Sequence, residues 1–357
     1  MKSYSLLLIF VVLLGLPLYS QTTSLNALLN RAEVLAYQNP DEAITMIENL
    51  QKKILSSDSE NRINVLLILG NAYSSKQNYQ RAIDYGLEAL QIANRTQNNV
   101  NSIKALGFIS NQYYILQMDD KLSEYLDRSE DAITAHPVPD SLNYIVANIY
   151  FLRALNYKDQ LDSKFSIRYF NRSIDAYKKA NYKNSKINLP IIYIQKGYSF
   201  YDLKMMDSAS VCFQKAYSIS KANGIASNVA YSQVGLAKVE YNKKNFPQAL
   251  SYLKSAKQEL NTSENLSLQT EIYKGFTENY LALKDDENYK ESAERYHQIL
   301  NENEKYDVAG MVNILKTQHE NNAQHFLETN KKYSLIAIGI VLFLLMTGWF
   351  LNRILSK

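Results

Sequence analysis

The chain contains 357 residues, with 39 Lys or Arg and 35 Asp or Glu, so its formal net charge is only +4. A charge this small excludes the strongly basic surface typical of nucleic-acid-binding proteins, and we expect no nucleic-acid partner. The single cysteine, Cys212, excludes an intrachain disulfide bond. Eleven glycines and six prolines are few for this length, which favours a helical protein.

Residues 1–20 have the three-part pattern of a secretory signal peptide. Lys2 gives a positive start, residues 6–18 form an uncharged apolar run, and Ser20 offers a small residue before Gln21. The run reaches only about 20 Å as a helix, short of the roughly 30 Å hydrocarbon core of a bilayer. The pattern therefore predicts cleavage after Ser20. The alternative is that the run stays in place as an N-terminal anchor.

Small and bulky residues recur at fixed spacing within residues 21–300. The clearest unit runs from Leu69 to Ala89, and two further units begin near Gly197 and Leu236. In all three, a bulky residue is followed by an alanine three residues later, and a second alanine follows seven residues after the first. The triplets are Tyr79, Ala82 and Ala89; Met206, Ala209 and Ala216; and Phe246, Ala249 and Ala256.

This pattern resembles the tetratricopeptide repeat, in which Leu-Gly precedes an aromatic residue and then two alanines. Leu69, Gly70 and Tyr73 match the first positions, whereas Gly86 stands where the family has a large aromatic residue. Weaker copies lie 39 to 44 residues apart, and the unit around Leu106 aligns only if about two residues are inserted. The resemblance implies an all-α fold, an α-solenoid of about seven tetratricopeptide-like helix pairs.

The same resemblance implies a ligand groove. In this family the first helix of each repeat lines the concave face, and side chains there bind proteins or peptides. Placing the sequence on this pattern puts eight residues in the groove: Asn64, Asn71, Asn111, Tyr198, Tyr201, Tyr231, Lys238 and Tyr241. Tyrosine is favoured at interfaces because it offers a large contact area with a polar tip. The alternative for the tyrosines is packing between repeats. The cluster of basic residues that clamps a ligand carboxylate in some family members is absent.

Residues 301–332 carry a different pattern. Val308, Val312, Leu315 and Phe326 recur on one helical stripe, with polar residues between them. The stripe indicates either a helix that caps the last repeat or a coiled-coil stalk. The second interpretation predicts a possible homodimer through residues 305–330.

Residues 333–352 are predicted to form one transmembrane helix. Leu335 to Leu351 contains 17 residues without a charge, and Tyr333 and Trp349 lie near its ends, where aromatic rings prefer the membrane interface. The signal peptide sets the orientation, so residues 353–357 form a cytoplasmic tail. We expect a single-pass protein of a bacterial inner membrane, with its repeats in the periplasm.

No catalytic, metal-binding or cofactor-binding motif is evident. His319 and His325 are six residues apart, which places them on different sides of a helix, whereas a zinc-protease pair needs a spacing of four. We expect that the protein is not an enzyme and that it binds no cofactor and no metal. The sequence favours a membrane-tethered scaffold for protein–protein interaction. The alternative is a sensory component of a transmembrane signalling system, since the layout resembles bacterial sensors that carry an output domain after the membrane crossing. Here only residues 353–357 follow it, so such a component acts through a partner or is a truncated regulator.

Overall fold

The computed structural model describes residues 25–52, 54–55, 58–160, 162–180, 185–260 and 265–302, together with residues 330, 331, 333, 334 and 338. Within these ranges every regular element is a helix. The helices are α1 (Leu25–Gln38), α2 (Pro40–Gln51), α3 (Ser59–Ser75), α4 (Tyr79–Arg95), α5 (Asn99–Ile115), α6 (Asp119–Ala135), α7 (Asn143–Asp159), α8 (Ser163–Ala180), α9 (Ser185–Asp202), α10 (Met206–Ala222), α11 (Ala226–Asn242), α12 (Phe246–Glu259), α13 (Leu266–Leu283) and α14 over residues 286–302. A 3₁₀ turn (Asp140–Leu142) precedes α7.

The helices form seven consecutive pairs in the described part of the chain, in agreement with the predicted all-helical repeat. Successive first helices begin 34 to 44 residues apart. One alignment needs correction. Helices α5 and α6 begin 40 residues after α3 and α4, so no insertion is required there. The residues equivalent to Leu69 and Gly70 are Ile109 and Ser110, three residues beyond the predicted Leu106-Gly107 pair.

Short turns join many of the helices whose connections the structure describes. Several turns end with a residue in the left-handed region, such as Gln77 at φ 60° and Gln97 at φ 53°. The next residue caps the following helix. The side chains of Asn78 and Asn98 accept hydrogen bonds from the backbone N–H groups of Arg81 and Asn101. Each cap satisfies one of the backbone donors that a helix start leaves unpaired, so it fixes where the helix begins.

Alanines form the tightest contacts of the core, as their spacing predicts. The six alanines of the three clear units are all 0% exposed: Ala82, Ala89, Ala209, Ala216, Ala249 and Ala256. Small side chains let neighbouring helices approach closely. Larger apolar residues, such as Phe170 and Phe213, fill the remaining space and are equally inaccessible.

The Phe108 ring occupies the space where the family pattern expects an aromatic side chain at position 86. A Cβ atom built on Gly70 would lie 2.6 Å from Cζ of Phe108, and one on Gly86 would lie 2.9 Å from Cδ1 of the same ring. Phe108 belongs to α5, the next helix along the chain. The aromatic ring is therefore supplied by the neighbouring repeat, and both glycines are needed to admit it. The Phe213 ring, which comes from the second helix of its own repeat, also lies between two glycines, Gly197 and Gly235.

The seven first helices form the inner layer of the array. From α1 to α11, each first helix contacts its own partner and the first helix of the next pair, whereas no two of the second helices α2, α4, α6, α8, α10 and α12 contact each other. The first helices are therefore spaced more closely than the second helices. The array bends towards the side of the first helices for this reason. We call this side, formed by α1, α3, α5, α7, α9, α11 and α13, the inner face.

Several predictions lie wholly or almost wholly outside the described residues. These are the signal peptide over 1–20, the linker over 301–332, the membrane helix over 333–352 and the tail over 353–357. In the part of the chain that the structure describes, no helix combines the length and the apolar character needed to span a bilayer. The membrane segments therefore stay predictions.

Candidate functional site

A cavity of about 670 Å³ opens on the inner face between α1, α3, α5 and α7. Its size lies in the range of small-ligand sites in proteins. On the first three helices, the lining residues recur at steps of three and four, as one face of a helix requires. They are Asn26, Leu29, Asn30 and Glu33 on α1; Asn64, Leu67, Ile68 and Asn71 on α3; and Lys104, Gly107, Phe108 and Asn111 on α5.

Asparagine amides form the polar part of this cavity. The predicted residues Asn64, Asn71 and Asn111 all line it, and all three are half-buried. Asn26 and Asn30 join them from α1 and are exposed. Within the described part of the chain, none of these five side-chain amides makes a hydrogen bond. Each amide offers both a donor and an acceptor, so together they can pair with the N–H and C=O groups of another polypeptide backbone.

The end of the cavity between α5 and α7 is apolar. Its walls are mostly aromatic and aliphatic, with Asn148 as a polar residue among Tyr114, Tyr144, Ile145, Ile149, Phe151, Leu152 and Leu155. Burial, and secondly the charge of Asp159, raise the pKa of Tyr114 to about 12. Its hydroxyl therefore stays protonated at neutral pH, and this wall carries no charge.

Two charged side chains also line the cavity, one on each side of α3. Glu33 on α1 is exposed, and Lys104 on α5 is half-buried. Neither forms an ion pair with any residue that the structure describes. Unpaired charges of opposite sign thus lie on opposite walls.

The other five predicted residues lie on the inner face of later repeats and do not line this cavity. Tyr198 and Tyr201 are on α9, and Tyr231, Lys238 and Tyr241 are on α11. Lys238 Nζ donates a hydrogen bond to Oε2 of Glu271 on α13 over 2.6 Å. The same ammonium group lies 5.4 Å from the centre of the Tyr198 ring.

These four tyrosines are half-buried and contact other side chains. The Tyr198 ring meets Phe213 edge to face at 5.1 Å, and burial raises the pKa of its hydroxyl. The Tyr201 hydroxyl accepts a hydrogen bond from Asn242, and the Tyr241 ring lies 5.6 Å from Phe246. Tyr231 accepts a hydrogen bond from Asn265 over 3.4 Å.

The structure thus brings the three predicted asparagines together in one cavity and places the tyrosines and Lys238 in a separate region. A ligand role for either set stays a prediction. Asn26, Asn30, Glu33, Lys104 and the apolar end were not predicted from the sequence. The available signal was the recurrence of asparagine on one face of α3, where Asn64 and Asn71 are seven residues apart, and a search of α1 for the same feature finds Asn26 and Asn30 four residues apart.

The described residues contain no group of three or more His, Cys, Asp or Glu side chains placed to hold a metal ion. Cys212 is buried on α10, and burial raises the pKa of its thiol. It packs as a small apolar side chain, as the sequence predicts.

Solved structures with the same fold include regulatory proteins. A signal-transduction ATPase with a tetratricopeptide repeat sensor from Pyrococcus horikoshii superposes with a TM-score of 0.57 and 13% identity, over 85% of this chain and 53% of the other. The chain therefore spans about half the length of that protein. A Rap protein complexed with competence and sporulation factor gives a TM-score of 0.53 and 15% identity, over 88% of this chain and 86% of Rap. NprR in complex with its cognate peptide NprX superposes with a TM-score of 0.51 and 13% identity, over 82% of this chain and 83% of NprR.

These similarities establish a helical-repeat fold of the tetratricopeptide type. No protein-family profile matches the chain. No curated protein sequence matches it either.

Proposed function

We propose that this protein is a scaffold for protein–protein interaction that binds a segment of polypeptide in the cavity between α1, α3, α5 and α7. The observation that carries the proposal is the set of unpaired asparagine amides on three successive first helices. An unpaired amide in a half-buried site is matched when a ligand supplies the missing hydrogen bonds. The apolar end of the same cavity adds a place for a side chain.

The dimensions of the site suit an extended segment. Packed helices lie about 8–10 Å apart, so the four first helices span roughly 24–30 Å. An extended chain advances about 3.3–3.6 Å per residue, so roughly seven to nine residues cross the site. The similar Rap and NprR structures each contain a bound factor or peptide, which supports this class of ligand.

The proposal is tested by selection from a pool of random nonapeptides. Full-length protein in a mild detergent is incubated with the pool, and bound peptides are identified by mass spectrometry. We expect enrichment on the wild type and its loss in the variant N64A/N71A/N111A. The control variant Q91A/Q214A removes exposed amides from the second helices α4 and α10 and should enrich the same peptides as wild type. Equal enrichment on all three proteins would place binding elsewhere.

We further propose that residues 335–351 tether the protein to the inner membrane of a bacterium and that the repeats lie in the periplasm after cleavage near Gln21. The support is the contrast between a 13-residue and a 17-residue apolar run. Deletion of residues 333–357 should release the protein into the soluble periplasmic fraction. If the truncated protein remained in the membrane fraction, residues 6–18 would be the anchor.

A second candidate function is sensing, in which ligand binding to the repeats changes the state of a membrane partner. The similarity to a tetratricopeptide repeat sensor favours it. The two functions differ in one observable property. A sensor changes its crosslinked membrane partners when a selected nonapeptide is added to intact spheroplasts, whereas a scaffold keeps them.

A further inference from the structure

The cavity has an uneven distribution of polar and apolar groups that restricts the chemistry of its ligand. Towards α1 and α3 the amides and the Glu33 carboxylate lie among the aliphatic side chains of Leu29, Leu67 and Ile68. Towards α7 the walls are aromatic and aliphatic apart from Asn148, whose Oδ1 accepts a hydrogen bond from the Tyr177 hydroxyl. Lys104 lies at the boundary, because it precedes Gly107 by about one helical turn on α5, and a Cβ atom built on Gly107 would lie 3.0 Å from Cγ1 of Ile149 on α7.

Lys104 is the cation that lines this cavity among the described residues, and it is half-buried without an acidic partner. Lys238 on α11, by contrast, forms an ion pair with Glu271. A half-buried ammonium group loses part of its hydration, and a carboxylate of the ligand can compensate for that loss.

The apolar end consists mostly of carbon surface. Tyr114, Phe151 and Leu155 present it, and Tyr114 stays uncharged, while Asn148 is the polar residue there among those that the structure describes. An apolar ligand side chain that enters this end leaves water and gains contact with several rings. Since Lys104 borders this end, the ligand's carboxylate and its apolar side chain are close in sequence.

We propose that the ligand is a peptide segment in which an Asp or Glu adjoins a large apolar residue, with the carboxylate bound by Lys104 and the apolar side chain inserted between α5 and α7. This inference rests on the proposed function and specifies its ligand. It differs from recognition by a cluster of basic residues, because one lysine acts beside an apolar wall.

The nonapeptide pool tests the charge preference. The full-length wild type should enrich peptides with Asp or Glu next to Leu, Phe, Tyr or Trp. The variant Lys104→Glu should bind the strongest of these peptides at least roughly tenfold more weakly and should enrich peptides with Lys or Arg instead. Lys104→Gln should lose the preference for acids without reversing it. Lys164→Glu makes the same charge change at an exposed position on α8 outside the cavity and should behave as wild type.

The apolar preference is tested from the ligand side, which leaves the protein unchanged. Replacing the large apolar residue of the strongest peptide by Ser should weaken its binding at least roughly tenfold. Unchanged binding would overturn the apolar part of the inference. If Lys104→Glu and wild type enriched the same acidic peptides, the carboxylate part would be wrong, although the proposed function would stand. If wild type enriched no peptide, the proposed function itself would fail.

Discussion

The inner face contains two regions that the repeat pattern makes equivalent and that the structure makes different. In the N-terminal region, α1, α3, α5 and α7 surround an open cavity, and the amides of Asn64, Asn71 and Asn111 are unpaired. In the C-terminal region, on α9, α11 and α13, the corresponding face is occupied by contacts between its own side chains. Lys238 pairs with Glu271 and lies near the Tyr198 ring.

Side-chain length accounts for much of this difference. Neighbouring helix axes are about 8–10 Å apart. A lysine on α11 reaches a glutamate on α13, and a tyrosine on α9 reaches Asn242 at the end of α11. The shorter side chains of Asn64, Asn71 and Asn111 make no such bond to a neighbouring helix, so their amides stay available to a third chain. An equivalent position in a repeat therefore becomes a binding position or a packing position according to the residue that occupies it.

The largest expected effect is on the alanine core, which both regions of the inner face share. Ala209→Trp and Ala249→Trp each insert a large ring at a site that is 0% exposed. Overpacking typically costs about 1–3 kcal/mol, and so large an insertion costs more, so both variants should lose their cooperative thermal transition. His319→Ala, which lies outside the described residues, should melt like wild type. Alanine variants with unchanged melting would show that the repeat register is wrong.

A smaller effect is expected in the C-terminal region. The tyrosines there contact the core, so the variant Y198A/Y201A/Y241A should lower the free energy of unfolding by roughly 3 kcal/mol, measured by urea denaturation. The variant N64A/N71A/N111A should stay within about 0.5 kcal/mol of wild type per site. If the tyrosine variant lost ligand binding at unchanged stability, the tyrosines would form the binding surface. The assignment of binding to the N-terminal region would then be wrong.

The smallest effect tests how closely the C-terminal repeats pack. A Cβ on Gly235 would lie 2.4 Å from two atoms of the buried Phe213 ring. Gly235→Ala should therefore cost about 1–3 kcal/mol in the same denaturation assay. Gly224 has a φ of 67° and nothing near its would-be Cβ, and asparagine tolerates this conformation, so Gly224→Asn should cost little. Equal effects of both substitutions would contradict the close packing around Phe213.

The fold was predictable from the sequence because close helix contacts demand small residues at fixed spacing, as at Ala82 and Ala89. The packing of Phe108 from one repeat against Gly86 of the preceding repeat was not predictable, since the pattern describes each repeat separately. The asparagines of α3 and α5 were placed in the groove by the pattern. Those of α1 were missed because α1 contains no Leu-Gly pair that would mark it as the first helix of a repeat. The pairing of Lys238 with Glu271 depends on the register between repeats, which the single-repeat pattern does not contain.

Photocrosslinking from each region tests most directly whether the N-terminal region is the one that binds a ligand. Asn71 and, in a second variant, Tyr241 are replaced by p-benzoylphenylalanine in the full-length protein. Both proteins are irradiated with the strongest nonapeptide from the pool, and adducts are identified by mass spectrometry. We expect an adduct at position 71 that excess unlabelled peptide prevents, and no adduct at position 241. A competable adduct at position 241 without one at position 71 would contradict it.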